Sequence, residues 1–472
     1  MVGPKYQRPN APVSTVYKEL PLDASQQASN WKPAQPDDGA LRGKWWEVYN
    51  DPELNALEER VNLSNQNILA AEAQFRAARD AVRIARASLF PVVSTAPSIT
   101  NSRTSQTLFN VTAGNLTSGQ RSTFDLPADV SYQADVWGSI RRSVRASAES
   151  AQVTAAQLEN ARLAYHAALA QAYFQLHGTD GERELLERTV KSYEDYLQLT
   201  KDRFASGVAS GSDVAQAQTQ LNSARAQLID LGVARAQFEH AIAILTGRPP
   251  SDVSIPASSI KTTPPPIPVG IPAHLLERRP DIAAAERQMA VANEQIGIAK
   301  AAFYPAVLLS ATGGLESGTV ADWFTWPSRF WTVGAQAAET IFDAGRRRAQ
   351  SDLARAAYDA TVASYRQTVL TGFQQVEDNL AALRVLAEEA RAQDEAVGAA
   401  EQALDISTYQ YKAGTASYLQ VITTQSIALQ NQITAVNILT RRMVASVLLI
   451  EALGGGWDVS KLPTASSLAS GR

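Results

Sequence analysis

The feature that most constrains this chain is an internal duplication. The stretch RFASGVASGSDVAQAQTQL begins at Arg203, and its echo QYKAGTASYLQVITTQSIAL begins at Gln410. Gly207 aligns with Gly414, an offset of 207 residues. Solenoid repeats are only about 20 to 50 residues long, so this pattern indicates two copies of one large unit.

The duplication extends well beyond these two stretches. LAAEAQFRAARDAVRIARASLFP, which ends at Pro91, matches AAAERQMAVANEQIGIAKAAFYP, which ends at Pro305, and DVWGSIRR matches FDAGRRR. Each copy runs in the same order: a helical pattern, a Ser-, Thr- and Gly-rich segment, a long helix, a Gly-containing turn and a second long helix. The predicted organisation is an N-terminal extended segment (1–50), repeat 1 (51–248, with a β-hairpin at 92–137 and a turn at 204–213), a Pro-rich linker (249–273), repeat 2 (274–455, with a β-hairpin at 305–342 and a turn at 411–420) and a C-terminal tail (456–472).

The helical segments are unusually long. From Arg346 to Tyr411 there is no proline, and the only glycines are Gly372 and Gly398. A continuous helix over this span would be about 100 Å long at ~1.5 Å per residue. After the first turn, apolar residues follow a 3-4 spacing that predicts coiled-coil packing and is broken only by Arg235. That spacing alone leaves open a long four-helix bundle.

Two segments alternate as β-strands do. From Ala128 to Trp137 one face is apolar and the other polar, and Trp331 to Ile341 repeats the pattern. Strands of about ten residues with one apolar and one polar face are typical of outer-membrane barrels. Aromatic residues that would form an interfacial girdle cluster beside the last strand: Trp323, Phe324, Trp326, Phe330 and Trp331. A soluble sheet edge with an exposed loop is the alternative.

The number of strands limits how they could cross a membrane. Four are expected, near 92–104, 123–137, 305–316 and 329–342. The smallest spanning barrels need about eight strands, and an open sheet edge is not tolerated in lipid. A membrane barrel would therefore have to be shared, with eight strands from two chains or twelve from three.

Composition excludes several classes of function. The net charge is −4 and no basic run stands out, so no nucleic-acid partner is indicated. The chain has no cysteine, which excludes thiolate metal sites, disulfides and thiol redox motifs. The four histidines are scattered, and no catalytic or phosphate-binding motif is present. No enzyme activity or cofactor is expected, and no apolar run is expected to be long enough for a membrane helix.

The sequence resembles the TolC-like outer-membrane export ducts, in the lipoprotein branch that serves resistance-nodulation-division efflux pumps. The phrases that carry the resemblance span nearly the whole chain: VGPKYQRP, WWEVYNDPELNAL, ERRPDIAAAERQMAVANEQIGIAKAAFYP, FDAGRRR and ALGGGW. The resemblance implies a mixed α and β membrane protein: a homotrimer with a twelve-stranded barrel, four strands from each protomer, continued by a coiled-coil periplasmic tunnel. Segments near 178–190, 246–275 and 385–395, with both termini, would form a belt around the tunnel.

The same resemblance implies a passive exit duct for drugs or other solutes. Its partners would be outer-membrane lipid, a periplasmic adaptor (membrane fusion protein) and an inner-membrane resistance-nodulation-division transporter. The two Gly-containing turns would be tips that close the pore and receive the adaptor. Adaptor contacts are expected at Arg203, Gly207, Val208, Ser210, Gly414, Thr415 and Ser417.

The expected gate departs from that of the best-known family members. Two acidic residues that ring the pore in those members align with Gln420 and Thr423, which are neutral. Tyr411 and Asp213 match an aromatic and acidic pair that helps to close the tip, and we expect them to bond to each other. We therefore expect Leu419 or Tyr418 to close the pore at this constriction.

The start of the chain also departs from the branch. Members usually begin with an acylated cysteine, which we expect just before Val2 in the native protein, although Met1 stands there in this chain. A native member without a lipid anchor is the alternative. Other classes that fit less well are a soluble periplasmic helical adaptor or structural protein, and a hydrolase of unknown type.

Overall fold

The two repeats fold into matching series of elements. The computed structural model describes residues 1–11, 13–14, 17–19, 43–103, 120–267, 269, 272, 275–464 and 467–468. The first repeat contains α1 (Pro52–Ser64), α2 (Gln66–Ala87), β1 (Val92–Ser94), β2 (Ser98–Arg103), β3 (Gln120–Ala134), α3 (Ser139–Ala205) and α4 (Gly211–Leu245). The second contains α5 (Leu275–Arg278), α6 (Pro280–Ala301), β4 (Ala306–Ser317), β5 (Arg329–Ala338), α7 (Arg346–Lys412) and α8 (Tyr418–Ala452).

The long helices repeat without insertion or deletion. α3 and α7 each contain 67 residues, and α4 and α8 each contain 35. At ~1.5 Å per residue, α3 and α7 are each about 100 Å long, as predicted. Both ends of all four helices keep the offset of 207 residues, so any position in α3 or α4 has a structural equivalent in α7 or α8.

The long helices form two hairpins that lie side by side. α3 packs along α4 and α7 along α8, while α3 also packs along α8 and joins the hairpins. The predicted apolar seam of α4 is buried at Ala217, Leu221, Ala224 and Ile242. Arg235 is the one polar residue that interrupts this seam. Its side chain donates a 2.7 Å hydrogen bond to the carboxylate of Asp180 on α3.

The strands form one antiparallel sheet. Its order is β1 and β2 beside β3, then β4, then β5. The predicted first strand is interrupted at residues 95–97, where Pro97 has no N–H to offer a neighbouring strand. The predicted second strand begins at residue 120 rather than 123 and ends at 134 rather than 137, and the predicted fourth strand ends at 338 rather than 342. Among the described residues, β5 and the β1–β2 side each have a second edge without a partner strand.

The register confirms that the sheet has one apolar and one polar face. Val130 lies opposite Ala311, which lies opposite Val333. On the other face Thr312 lies opposite Asp129 and donates a 2.7 Å hydrogen bond to its carboxylate. The apolar face carries Val93, Ile99, Phe124, Leu126, Val130, Tyr132, Val307, Leu309, Leu315, Trp331 and Val333.

The aromatic cluster lies at the β4–β5 end of this sheet, with one exception. The Trp323 ring stands 5.5 Å from that of Phe124, on the apolar face, and 5.0 Å from that of Phe324. Trp326 and Trp331 are 76% and 79% exposed. Phe330 does not belong with them. It follows its neighbours in a strand where successive side chains alternate, and so lies on the polar face.

The largest buried core lies around the middle of α3. A short 3₁₀ helix, Trp45–Tyr49, packs there with α1 and with the second half of α8. The linker also contacts this region, because the backbone N–H of Ser258 donates to Asp180 at 3.2 Å. Residues 178–190 and 385–395 are uninterrupted parts of α3 and α7, and their place in a belt around a tunnel stays a prediction.

Two of the four histidines are core residues. His166 bonds through its two ring nitrogens to Glu58 at 2.6 Å and Asn62 at 2.9 Å. His177 Nδ1 lies 2.6 Å from the Ser258 carbonyl oxygen and therefore donates to it. His240 is exposed on α4, and His274 lies outside the described residues. These positions agree with packing and surface roles.

One helix is more apolar than the sequence reading allowed. By length and composition α8 could cross a membrane, so the prediction that no apolar run is long enough for a membrane helix was wrong. In the fold part of this apolar surface is buried, because Met443, Val447 and Ile450 belong to the central core. Core helices commonly have this composition, so α8 gives only weak support for a membrane span.

Candidate functional site at the hairpin turns

The two turns that join the long helices have the same backbone. Gly207 and Gly414 adopt φ of 74° and 79°, a left-handed conformation that glycine adopts without strain. The next residue in each turn closes it: Val208 N donates to the Arg203 carbonyl, and Thr415 N to the Gln410 carbonyl, both at 2.9 Å. The duplicated glycines therefore end α3 and α7 and reverse the chain.

The start of α4 is capped by its own residues. Ser210 Oγ accepts from Asp213 N at 3.2 Å, and Asp213 Oδ2 accepts from Ser210 N at 2.9 Å. This reciprocal capping box satisfies donors that the first turn of a helix leaves free. The predicted bond between Asp213 and Tyr411 is therefore wrong in this protomer, because the carboxylate serves its own helix.

The second turn has no equivalent cap. Ser417 occupies the capping position of α8, but its side chain makes no capping hydrogen bond. The residue three positions later is Gln420, where α4 has the carboxylate of Asp213. The two turns thus share a backbone and differ in how firmly the following helix begins.

A tyrosine cluster lies just inside the turns. Tyr193, Tyr411 and Tyr418 are buried together, and the rings of the last two are 5.3 Å apart. The Tyr411 hydroxyl lies 3.3 Å from the Thr200 hydroxyl, across the α3–α7 contact. Burial raises the pKa of the phenols of Tyr193 and Tyr418, so they are neutral at ordinary pH. The cluster is an apolar core that holds the two hairpins together.

Arg203 closes this core from the side of the first turn. Its Nη1 donates to the Tyr411 carbonyl oxygen at 2.8 Å, and its guanidinium carbon lies 4.7 Å from the centroid of the Tyr411 ring. One side chain therefore makes a charged hydrogen bond and a cation–π contact to the other hairpin. The sequence reading placed Arg203 only among adaptor contacts.

The structure separates the residues assigned to the gate. Tyr418 is only 3% exposed and packs inside the protomer, so its predicted role in closing a pore was wrong. Leu419, the next residue, is 59% exposed. Gln420 and Thr423 are exposed beside it on α8, with no carboxylate at any of these three positions. Val208, at the outermost part of the first turn, is 65% exposed.

Sequence reasoning missed a cavity deeper in the same hairpins. Gln425 is 3% exposed, and neither polar atom of its amide has a hydrogen-bond partner among the described residues. It lines a cavity of about 230 Å³ between α3 and α8, with Tyr193 and Arg188. Its alignment with Gln218 was visible in the sequence, but Gln218 instead bonds Asn222 on its own helix at 3.1 Å.

The described part of the chain shows no metal-binding group of three or more His, Cys, Asp or Glu residues. The described residues form a sheet with one apolar face and two edges that no described strand covers, and long helical hairpins that end in exposed turns. These features define a class of protein: a membrane channel whose barrel continues into a helical tunnel.

Comparisons with known proteins give the same class. The family described as Outer membrane efflux protein matches residues 57–248 and 271–455, which are the two repeats. The chain is 30% identical over 455 residues to the probable efflux pump outer membrane protein TtgC of Pseudomonas putida, covering 96% of this chain and 92% of that one. It is also 30% identical over 462 residues to outer membrane protein OprJ of Pseudomonas aeruginosa, covering 97% and 93%. The chain belongs to the outer membrane efflux protein family.

Solved structures show the same fold. The outer-membrane channel OprN superposes with a TM-score of 0.85 at 28% identity, covering 97% of this chain and 99% of that one. The Campylobacter jejuni CmeC outer membrane channel superposes with a TM-score of 0.87 at 23% identity, covering 100% and 98%. The predicted fold class, that of the trimeric outer-membrane efflux channels, is confirmed, as are the outer-membrane location and the non-enzymatic role in efflux.

Proposed function

We propose that this protein is the passive exit duct of a tripartite efflux pump. The observation that carries the proposal is the combination, in one chain, of two structures. One is a sheet with one apolar face and two edges that no described strand covers, and the other is a pair of helical hairpins whose longer helix is about 100 Å long. The sheet suits a lipid bilayer and the hairpins suit a periplasmic tunnel. Energy for transport would come from the inner-membrane transporter.

Three copies of the chain would complete the barrel. Each protomer supplies four strand positions, because β1 and β2 together occupy one. Twelve strands would pair the edge of β5 with the β1–β2 edge of the next protomer and leave no open edge in lipid. The apolar face would then contact lipid, and the polar face around Asp129 and Thr312 would line the water-filled pore.

The exposed turns would form the periplasmic end of the duct and the docking site of the adaptor. Gly207, Val208, Ser210, Gly414, Thr415 and Ser417 are all exposed there. Tight glycine turns present backbone groups as well as side chains, which suits contact with the tip of another helical hairpin. Arg203 would act from behind them, as the side chain that holds the two turns in one arrangement.

The constriction at this end would close without charged rings. Leu419 is the most suitable residue to narrow it, because it is exposed, apolar and next to the turn. Gln420 and Thr423 would add uncharged polar rings below it. Charged rings select ions by sign, so this gate should discriminate weakly between cations and anions.

A lipid anchor on a residue before Val2 would fit this arrangement. Val2 N donates to the Trp137 carbonyl oxygen at 3.0 Å, at the junction between β3 and α3. The Trp137 ring stacks on that of Tyr304, 4.6 Å away. This junction would lie at the inner surface of the outer membrane, where an acyl chain could enter the bilayer.

The experiment places a photo-reactive amino acid at Val208 in cells that carry the whole pump. We expect cross-linking to the adaptor, identified by mass spectrometry. The matched control replaces Ser143, an exposed residue near the barrel end of α3, and should capture no adaptor. A Val208 product without the adaptor, or equal capture from Ser143, would contradict the proposed docking end.

A further inference from the structure

A cavity of about 770 Å³ lies between α2, α3 and the C-terminal tail. Its walls are apolar at Phe75, Leu158 and Leu462. A cavity of this volume can hold a drug-sized organic molecule. It lies apart from the hairpin turns and from the sheet, and the proposed duct function does not use it.

The rim of this cavity is positively charged. It carries four cationic side chains and two carboxylates. Both carboxylates, those of Glu72 and Glu159, accept hydrogen bonds from Arg162, at 2.6 and 2.7 Å. Arg76 and Lys461 are exposed at the rim, and neither forms an ion pair within the described part of the chain. An anion at this edge would therefore meet two cations that no carboxylate neutralises.

A buried donor without an acceptor lines the same cavity. Trp457 is 6% exposed, and its indole N–H has no hydrogen-bond acceptor among the described residues. An unpaired buried donor is destabilising, so such a group needs a physical explanation. A molecule in the cavity that carries an acceptor would satisfy the N–H, and its apolar part would contact the rings of Trp457 and Phe75.

The second repeat contains the equivalent groove, and there the chain fills it with its own residues. α6 packs along α7 as α2 packs along α3. Tyr6, from the N-terminal segment, packs against the apolar cluster that contains Met289 and Tyr365. Its hydroxyl donates to the Glu286 carboxylate at 2.6 Å. The groove in this fold therefore accepts an aromatic ring that ends in a polar group.

The two grooves differ in charge. The offset between α2 and α6 is 214 residues, which places Arg76 at the position of Ala290. The offset of 207 residues between α3 and α7 places Arg162 at the position of Val369. The first repeat thus has cations where the second has apolar side chains. Its groove is complementary in charge to an acidic molecule rather than to a neutral segment of the chain.

We propose that this cavity binds an amphipathic organic anion. The apolar body of the ligand lies among Phe75, Leu158 and Trp457, and its acidic head lies at Arg76 and Lys461. An organic cation of the same shape is repelled by the rim. Two sources have the required chemistry: a fatty acid released from lipid, and a soluble aromatic acid. The inference goes beyond the proposed duct and does not depend on how many copies assemble.

Photolabelling of the purified protein in nonionic detergent tests the site. The probe is para-benzoylbenzoate, an aromatic carboxylate that attaches to nearby C–H groups under ultraviolet light. We expect saturable labelling of peptides from α2 and from the C-terminal tail, located by mass spectrometry. The matched probe is para-(hydroxymethyl)benzophenone, which has the same rings and no charge. It should label these peptides several-fold less.

Single substitutions locate the acidic head. Arg76→Gln and Lys461→Gln should each raise the half-saturating probe concentration by up to about fivefold, which is the contribution of a partly exposed ion pair. Both side chains are exposed, so the variants should fold normally. The matched control is Arg83→Gln, on the same helix but outside the cavity, where Arg83 pairs with Asp80 at 2.9 Å. This control should label as the unmodified protein does.

Competition identifies the source of the ligand. Displacement of the probe by laurate at a lower concentration than by naphthoate would assign a lipid-derived acid, and the reverse order a soluble aromatic acid. Either order supports the site, whereas no displacement by either acid would overturn it. Equal labelling by the neutral probe, or unchanged half-saturation in both Arg76→Gln and Lys461→Gln, would also overturn the proposal. So would saturable labelling that is confined to other segments of the chain.

Discussion

Removal of Arg203 should loosen the hairpin turns by a predictable amount. Its guanidinium makes one charged hydrogen bond, at 2.8 Å to the Tyr411 carbonyl, and one cation–π contact, at 4.7 Å to the Tyr411 ring. A charged hydrogen bond contributes about 1.5–3 kcal/mol and an exposed cation–π contact about 0.5–1 kcal/mol. Because Arg203 is partly exposed, the lower part of this range applies, and Arg203→Ala should cost about 2 kcal/mol locally.

That cost translates into a measurable change in opening. At ~1.4 kcal/mol for each factor of ten, about 2 kcal/mol raises the population of the opened turn roughly 30-fold. Hydrogen exchange reports such local opening directly. We expect amides near Gly207 and Gly414 to lose protection by about that factor, and amides in the central core around Leu169 to keep theirs. Single-channel recordings should show a higher resting conductance.

Two matched variants isolate the cause. Arg203→Lys keeps the charge but lacks the planar guanidinium fork, so it should recover only part of the protection. Tyr411→Phe removes only the long 3.3 Å contact to Thr200 and leaves the carbonyl and ring that Arg203 uses. It should therefore have a small effect. Unchanged exchange at both turns in Arg203→Ala would refute the argument that this side chain joins them.

Three further predictions follow from the turns and the central core. Thr423→Asp should introduce a ring of carboxylates and raise cation selectivity in planar bilayers under a KCl gradient, and unchanged selectivity would place this residue outside the constriction. Asp213→Ala should remove one bond of the capping box and destabilise the start of α4 by about 0.3–1 kcal/mol; hydrogen exchange at Ser210 checks this, and Asp213→Asn, which keeps an acceptor, should lose less. Burial lowers the pKa of His166 to about 4 in the folded protein, whereas its pKa in the unfolded chain is about 6.5. The stability that comes from burying the neutral imidazole is therefore fully present above about pH 6.5 and is lost as the pH falls toward 4. The urea midpoint should therefore fall between about pH 7.5 and pH 5, and His166→Gln should show a smaller fall.

The sequence by itself determined the architecture, because the signals for it are local or periodic. Helix length follows from the absence of proline between Arg346 and Tyr411, and helix ends follow from Gly207 and Gly414 at fixed positions. Strand faces follow from alternation, which requires no knowledge of the partner strand. The offset of 207 residues between equivalent helices likewise needed only the alignment.

Tertiary structure decided what individual side chains contact. Asp213 and Tyr411 match a pair of residues that interact in the family, but in this structure the Asp213 carboxylate accepts a hydrogen bond from Ser210 N. Tyr418 and Leu419 are neighbours in sequence, yet a rotation of about 100° per residue along α8 buries one and exposes the other. Phe330 and Trp331 are separated in the same way by the two faces of a strand. Which side of an element is covered depends on where its neighbours lie, and that is set by packing over the whole fold rather than by any local segment.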